Sequence, residues 1–152
     1  MDETTLREIL KSHEEWLDSS GKSGEPADFC EADLRGVDLR VACLREAILS
    51  DADLRNADLR GTNLSIAYMC RADLRGASLA GTILVLAGLY KADLRDACLV
   101  GADLHGANLR NADLRGAIMC KEDLFNAKLY EANLFRGCLV YPLLTYRRRT
   151  DR

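Results

Sequence analysis

The sequence predicts an all-β solenoid of about six four-sided coils with an N-terminal α-helical cap. Steps of five residues from Phe29 to Leu144 meet a large apolar side chain at all 24 positions, and only Phe29, Met69 and Met119 are not Leu. Alanine stands two residues before 18 of these 24 positions. The tetrapeptide Ala-Asp-Leu-Arg also returns every twenty residues, beginning at positions 32, 52, 72, 92 and 112.

A period of five residues fits a short extended piece followed by a turn, because helices repeat every 3.6 residues and strands every two. The Leu and the small residue two positions before it would point inward, and the other three residues of each unit would face solvent. Twenty residues make four units, so residues twenty apart would stack. Six coils spaced by about 4.8 Å would give a column roughly 29 Å long.

The repeated pattern Ala-(Asp/Asn)-Leu-x-x, from about Ala27 to Leu144, resembles that of the pentapeptide-repeat family, of the bacterial type with an N-terminal capping helix. The resemblance implies a right-handed quadrilateral β-helix with the Leu and the preceding Ala inside. Some members of that family imitate duplex DNA and bind DNA gyrase or topoisomerase IV, which gives fluoroquinolone resistance. The resemblance therefore also implies an alternative function as a DNA mimic.

Residues 1–26 are expected to form a capping helix and a linker. Thr5 and Glu8 match a capping box, which predicts a helix over 5–18 that ends before a Ser-Gly pair. The apolar stripe of this helix would cover the open edge of the first coil, because an uncovered edge invites aggregation. His13 lies in the stripe and is expected to be a packing residue.

Residues 27–144 are predicted to form the β-helix, and one side of it carries two charged columns. Like charges in neighbouring coils repel, and an adjacent column of opposite sign offsets the repulsion. The interpretation is a self-neutralising lattice, with an Arg ladder that meets an anionic partner as the alternative. The charged ladder comprises Asp33, Arg35, Asp53, Arg55, Asp73, Arg75, Asp93, Arg95, Asp113 and Arg115.

Apolar residues occupy outward positions on the third side and around the next corner at mid-column. Contiguous exposed apolar surface on a protein often marks an interaction site. This mid-column patch is the candidate surface for a protein partner or for self-association. It comprises Ile66, Tyr68, Ile83, Val85, Leu86 and Tyr90.

The regular pattern changes toward the C-terminus. Glu122 stands at an inward small position, where a carboxylate cannot be buried unpaired, so a local bulge or an outward side chain is predicted there. Residues 145–152 form a basic tail, which is expected to be solvated. A cluster of apolar residues before and within this tail would close the last coil or form a homodimer. This candidate self-association end comprises Val140, Tyr141, Leu143, Leu144 and Tyr146.

No catalytic, cofactor-binding or metal-binding residue is predicted, and no enzyme activity. The two histidines are His13 and His105, and His105 beside Asp103 lacks a nucleophile and a pocket. A core filled by four Leu per coil leaves no cavity for a small-molecule substrate. The six cysteines form no C-x-x-C pair, and Cys30 and Cys70 would lie about 9.6 Å apart, so free thiols in a reducing cytosol are expected.

These observations favour a non-enzymatic interaction or scaffold protein that presents ladders of side chains on a rigid rod to an unidentified protein partner. A DNA mimic that modulates gyrase is the first alternative, although the net charge is only −3 and each Asp column is flanked by Arg. Nucleic-acid binding by the Arg ladder is the second alternative. The charged N-terminus and the lack of a long apolar run lead us to expect a cytoplasmic location without a membrane partner.

Overall fold

The computed structural model describes residues 1–134 and the backbone of one further strand, β2 (Cys138–Leu139). One α-helix, α1 (Glu3–Asp18), precedes a parallel β-solenoid. The two-residue strand β1 (Ile118–Met119) pairs in parallel with β2, and a 3₁₀ helix (Lys121–Leu124) lies between them. In the rest of the described solenoid, each side of a coil contributes a single-residue bridge to the next coil, except between Asp103 and Asp123.

Residues twenty apart stack on one another, as the sequence predicts. Parallel bridges link Asp33 to Asp53 and Asp53 to Asp73. The N–H of Leu34 donates to the carbonyl of Asp53 at 2.8 Å, and the N–H of Asp53 donates to the carbonyl of Ala32 at 2.9 Å. The four-unit coil is therefore confirmed. The number of coils remains a prediction, because the end of the chain lies outside the described residues.

The inward Leu column and the small residues before it form the core. Between positions 44 and 119, every Leu or Met at the five-residue step is at most 1% exposed. Thr62 and Thr82 replace Ala at the small inward position and are also buried. Their hydroxyls donate to the carbonyls of Leu39 and Leu59, each at 2.7 Å, so neither buried hydroxyl is left unsatisfied.

Each unit ends in a tight turn that leads to the next side of the coil. The N–H of Ala57, for example, donates to the carbonyl of Leu54 at 3.0 Å, and Asn56 in that turn has a φ of 58°. The residue two positions after the Leu has a positive φ in this way throughout most of the solenoid, which favours Gly, Asn and Asp. Bulky apolar residues occupy this position at Val41, Ile66 and Leu86, with φ of 52°, 61° and 58°.

Helix α1 caps the first coil but begins earlier than the sequence predicts. The predicted capping box of Thr5 and Glu8 is wrong, because Asp2 is the N-cap. The Asp2 carboxylate accepts hydrogen bonds from the N–H and the hydroxyl of Thr5, at 2.9 and 2.7 Å. The C-terminal end is as predicted, because the N–H of Gly21 donates to the carbonyl of Trp16 at 2.8 Å and closes the last turn. The helix residues packed against the solenoid core are Leu6, Ile9 and Leu10.

The solenoid bulges at Glu122, and this prediction is confirmed. The side chain of Glu122 is exposed, and the chain forms the 3₁₀ helix where a regular unit would lie. The N–H of Asp123 turns back to the carbonyl of Cys120 at 3.1 Å. The Asp123 carboxylate accepts from the backbone N–H groups of Cys120, at 2.6 Å, and Gly101, at 3.3 Å. These hydrogen bonds take the place of backbone hydrogen bonds that would join a regular unit to the preceding coil.

Candidate interaction surfaces

The mid-column patch lies on the surface of the solenoid, as its outward register requires. Tyr68 and Leu86 are 55% and 57% exposed, and Ile66 and Ile83 are 38% and 40% exposed. The other two members are partly buried: Val85 and Tyr90. The structure therefore places these side chains at the surface, and their role in binding remains a prediction.

The coil at the centre of the patch is uncharged along its second and third sides and along the fourth side up to Tyr90. No charged residue occurs from Ala77 to Tyr90. The second side of the preceding coil carries Asp58 and Arg60, and the third side of the following coil carries Asp103. The patch thus lies in an uncharged stretch of the surface, because residues 62–70 of the preceding coil are uncharged as well.

Two members of the patch have a backbone conformation that disfavours their side chains. Ile66 and Leu86 have positive φ, and a left-handed conformation costs a residue with a Cβ roughly 1–2 kcal/mol. Gly106, one coil beyond Leu86, makes the same turn with a φ of 69°, so the turn itself does not need a bulky residue. Ile66 and Leu86 thus combine exposure with a positive φ, which charged residues such as Glu46, Arg71 and Lys91 also adopt at this turn.

The charged ladder is a chain of interlocked ion pairs. Nη2 of Arg55 lies 2.6 Å from Oδ2 of Asp53 in its own coil, and Nε of Arg55 donates to Oδ1 of Asp53 at 2.8 Å. The same Nε lies 3.6 Å from Oδ2 of Asp73 in the next coil. The pair within a coil recurs at all five Arg residues, and the contact to the next coil recurs from Arg35 to Arg95, as a self-neutralising lattice predicts. Whether the ladder also binds a partner remains a prediction.

Hydrogen bonds within these ion pairs shift the pKa values of both side chains. The Arg35 guanidinium bonded to Asp33 holds the pKa of that carboxyl well below its usual range. On the second side, the hydrogen bonds from Arg40 lower the pKa of Asp38 to about 2. The hydrogen bond to Asp73 raises the pKa of Arg75 further above its already high ordinary value. Both members of each pair therefore stay charged over the physiological pH range.

His13 packs beneath α1 and joins the cap to the solenoid, so its predicted packing role is confirmed. Its Nδ1 accepts a hydrogen bond from the N–H of Ala27 at 3.0 Å, and its ring stacks on Trp16 with centroids 5.8 Å apart. Its buried Nε2 has no hydrogen-bond partner in the described part of the chain. Burial lowers the pKa of His13, and the backbone of Arg45 and the carboxylate of Glu46 oppose that shift.

The described residues contain no candidate metal site. They contain no group of three or more His, Cys, Asp or Glu side chains arranged around a common point. The backbone N–H of His105 donates to the carboxylate of Asp103 at 3.0 Å, and the His105 ring tilts against Phe125. No helix in the described region is long and apolar enough to cross a membrane. The thiols described are all free: Cys30, Cys43, Cys70, Cys98 and Cys120.

Several predictions concern residues that the structure does not describe. The basic tail at 145–152 and the candidate self-association end lie outside the described residues. The members of that end are Val140, Tyr141, Leu143, Leu144 and Tyr146.

Sequence reasoning missed two features of the surface. Val41 is 81% exposed at a positive-φ turn, and Gly88 leaves the outward column between Tyr68 and Asn108 without a side chain. The exposed Val41 could be recognised from the residues that recur at the turns every five positions, which are often Gly, Asn or Asp. An apolar residue at that step is an exception.

A family model described as Pentapeptide repeats matches the chain in eight copies, at residues 27–51, 47–84, 87–121 and 105–139. This chain belongs to the pentapeptide repeat family. Proteins of the family form right-handed quadrilateral β-helices, and the bridges between residues twenty apart agree with that fold. They are generally non-enzymatic structural repeat proteins.

Several solved structures are similar to this pentapeptide repeat protein. A thylakoid-lumen protein of Arabidopsis thaliana is 29% identical over 70% of this chain and 61% of its own, with a TM-score of 0.31. A protein of the cyanobacterium Cyanothece 51142 is 26% identical over 86% of this chain and 95% of its own, with a TM-score of 0.40. QnrB1, a plasmid-mediated fluoroquinolone resistance protein, is 20% identical over 75% of this chain and 77% of its own, with a TM-score of 0.41.

This chain spans about three fifths of the length of the Arabidopsis protein. No curated protein matches it. Family membership therefore rests on the repeat pattern.

Proposed function

We propose that this pentapeptide repeat protein is a non-enzymatic interaction protein that binds another protein through the mid-column patch. The observation that carries the proposal is the exposure of large apolar side chains in an uncharged belt, two of them at turns that favour glycine. Burying such side chains against a partner would contribute about 25 cal/mol per Å² of apolar surface. A core filled by leucine leaves the outer sides and the ends as the surfaces available for function.

The charged ladder gives less support to the two alternative functions. A DNA mimic needs a dominant anionic face, but each Asp of the ladder is bonded to an Arg in its own coil. The same pairs occupy the guanidinium groups that an Arg ladder would offer to phosphates. We therefore expect neither inhibition of gyrase supercoiling nor salt-dependent binding to duplex DNA.

Binding through the third side of the central coil can be tested by replacing its outward residues with the Asp and Arg of the charged first side. Ile83→Asp with Val85→Arg replaces the apolar pair by the Asp-Leu-Arg sequence that the same fold accepts on its first side. Ser78→Asp with Ala80→Arg makes the same change on the second side of the same coil and serves as the matched control. Both double variants should fold as the wild type does.

The measurement compares the proteins that the immobilised wild type and the two variants retain from an extract of the source cells. A partner lost only with the Ile83/Val85 variant would support the proposal. If the Ile83/Val85 variant retains every protein that the wild type retains, the patch is not the binding surface and the proposal fails.

A further inference from the structure

We propose that a second copy of this chain docks along one corner of the solenoid and forms a side-by-side dimer with its two-fold axis parallel to the rod. The inference rests on the proposed function, because it names the partner for one edge of the mid-column patch. The corner lies where the third side turns into the fourth. The corner strip consists of Ile66, Tyr68, Leu86, Gly88, Gly106 and Asn108.

The corner strip contains a projecting side chain and a gap in the same coil. Leu86 is 57% exposed, and a Cβ added at Gly106 would meet Leu86 Cδ2 at 2.7 Å, so the Leu86 side chain lies over Gly106. Two residues further along, Gly88 bridges Tyr68 above and Asn108 below and has no side chain of its own. Leu86 is thus a supported knob, and Gly88 is the floor of a gap beside it.

A two-fold axis parallel to the rod makes the knob and the gap meet reciprocally. Rotation about such an axis does not change the position of a residue along the rod, and it brings the third side of one copy opposite the fourth side of the other. Leu86 of each copy therefore faces Gly88 of the other copy. One coil above, the same operation places Ile66 opposite Tyr68 of the second copy. Each exposed apolar side chain of the strip then faces a residue of the corner strip of the second copy, and Leu86 meets the gap at Gly88, which an unrelated surface would not provide.

Charge also favours this corner over the corner between the fourth and first sides. The six residues of the corner strip carry no charge. At the other corner, the turn residues Arg71 and Lys91 lie next to the column of Asp73 and Asp93. A two-fold contact there would desolvate several charges at once, which is costly. Ile83 and Val85 lie outside the corner strip, so the dimer would leave them free to bind a different protein.

The substitution Gly88→Leu tests the gap without disturbing the monomer. Gly88 does not need a left-handed conformation, and a Cβ there would meet its nearest neighbours, the Ala67 carbonyl oxygen and Cys70 Sγ, at ordinary distances of 3.8 and 4.0 Å. Ser78→Leu adds the same side chain on another side of the same coil and is the control. Leu86→Gly removes the knob, and Leu86→Gly with Gly88→Leu exchanges knob and gap.

Sedimentation velocity and light scattering over a wide range of protein concentration give the dimer dissociation constant of each variant. We expect a wild-type dimer, a dissociation constant raised about thirtyfold or more by Gly88→Leu and by Leu86→Gly, and no change with Ser78→Leu. The exchanged double variant should dimerise again, because the two-fold axis still pairs a knob with a gap. Circular dichroism would verify that each variant remains folded.

A wild type that stays monomeric at every concentration would overturn the inference, and so would a Gly88→Leu variant that dimerises as the wild type does. A double variant that fails to recover would overturn the reciprocal packing. These outcomes differ from a failure of the proposed function, which is measured by capture of other proteins through Ile83 and Val85.

Discussion

Replacing Glu122 by alanine should repair the solenoid and stabilise the protein. The regular register would pair the N–H of Leu104 with the carbonyl of Asp123, just as the N–H of Leu84 donates to the carbonyl of Asp103 at 2.7 Å. Leu104 is fully buried, and within the described chain its N–H has no hydrogen-bond partner. The bulge therefore leaves a buried donor unsatisfied because the carboxylate of Glu122 cannot enter the core.

The size of the effect follows from the groups involved. An unsatisfied buried amide costs about 1–3 kcal/mol, and the return of partly buried Leu124 to the core would add up to about 1 kcal/mol. The side-chain bonds of Asp123 to Cys120 and Gly101 would be exchanged for backbone bonds. A net gain of about 2 kcal/mol would raise the melting temperature by roughly 4–8 °C for a chain of this size.

Thermal unfolding and amide hydrogen exchange at Leu104 would measure the repair. Glu122→Gln is the matched control, because it removes the charge but keeps a polar side chain too large for the small inward position. We expect Glu122→Ala to raise the melting temperature and slow exchange at Leu104, and Glu122→Gln to do neither. An alanine variant with unchanged exchange, or a glutamine variant with an equal rise, would refute the reasoning.

Three further outcomes can be measured. Burial lowers the pKa of His13, so the stability that the neutral ring supplies is complete above about pH 6.5 and is lost as the pH falls. The fluorescence of Trp16, which stacks on this ring, should therefore change on acidification. His13→Asn should abolish that change. The pKa of Asp38 is lowered to about 2, so its contribution to the melting temperature should be lost between about pH 4 and pH 2, and Asp38→Asn should flatten the profile in that range. Leu84→Ala should cost about 3 kcal/mol in urea unfolding, whereas Leu86→Ala in the same coil should cost less than about 1 kcal/mol; equal costs would contradict the assignment of inward and outward positions.

The parts of the fold that depend on periodicity could be predicted from the sequence. The five-residue step and the twenty-residue return of Ala-Asp-Leu-Arg led to the stacking of Leu34, Leu54 and Leu74 in one buried column. The bulge at Glu122 followed from the cost of burying a carboxylate. The helix start could not be found with the same ease, because Asp2 and Thr5 both belong to the residue types that cap helices.

The geometry of the candidate surface was less accessible from sequence. Register predicted which residues face outward, but it did not show that Leu86 leans over Gly106 or that the space at Gly88 is open. Those facts depend on side-chain rotamers and on the heights of neighbouring turns, and neither follows from a linear pattern. Partly buried Val85 and Tyr90 illustrate the same point, because an outward register does not fix how far neighbouring coils cover a side chain.

The solenoid separates the residues that specify the fold from those that are available for binding. Two residues of each five fill the core, and the turn residue is constrained only by its positive φ, which glycine satisfies without strain. A bulky side chain at such a turn adds nothing that the coil requires, since Gly106 makes the same turn as Leu86. The fold therefore does not require Ile66 or Leu86 at these turns, and a contact outside the monomer is the role that we propose for them.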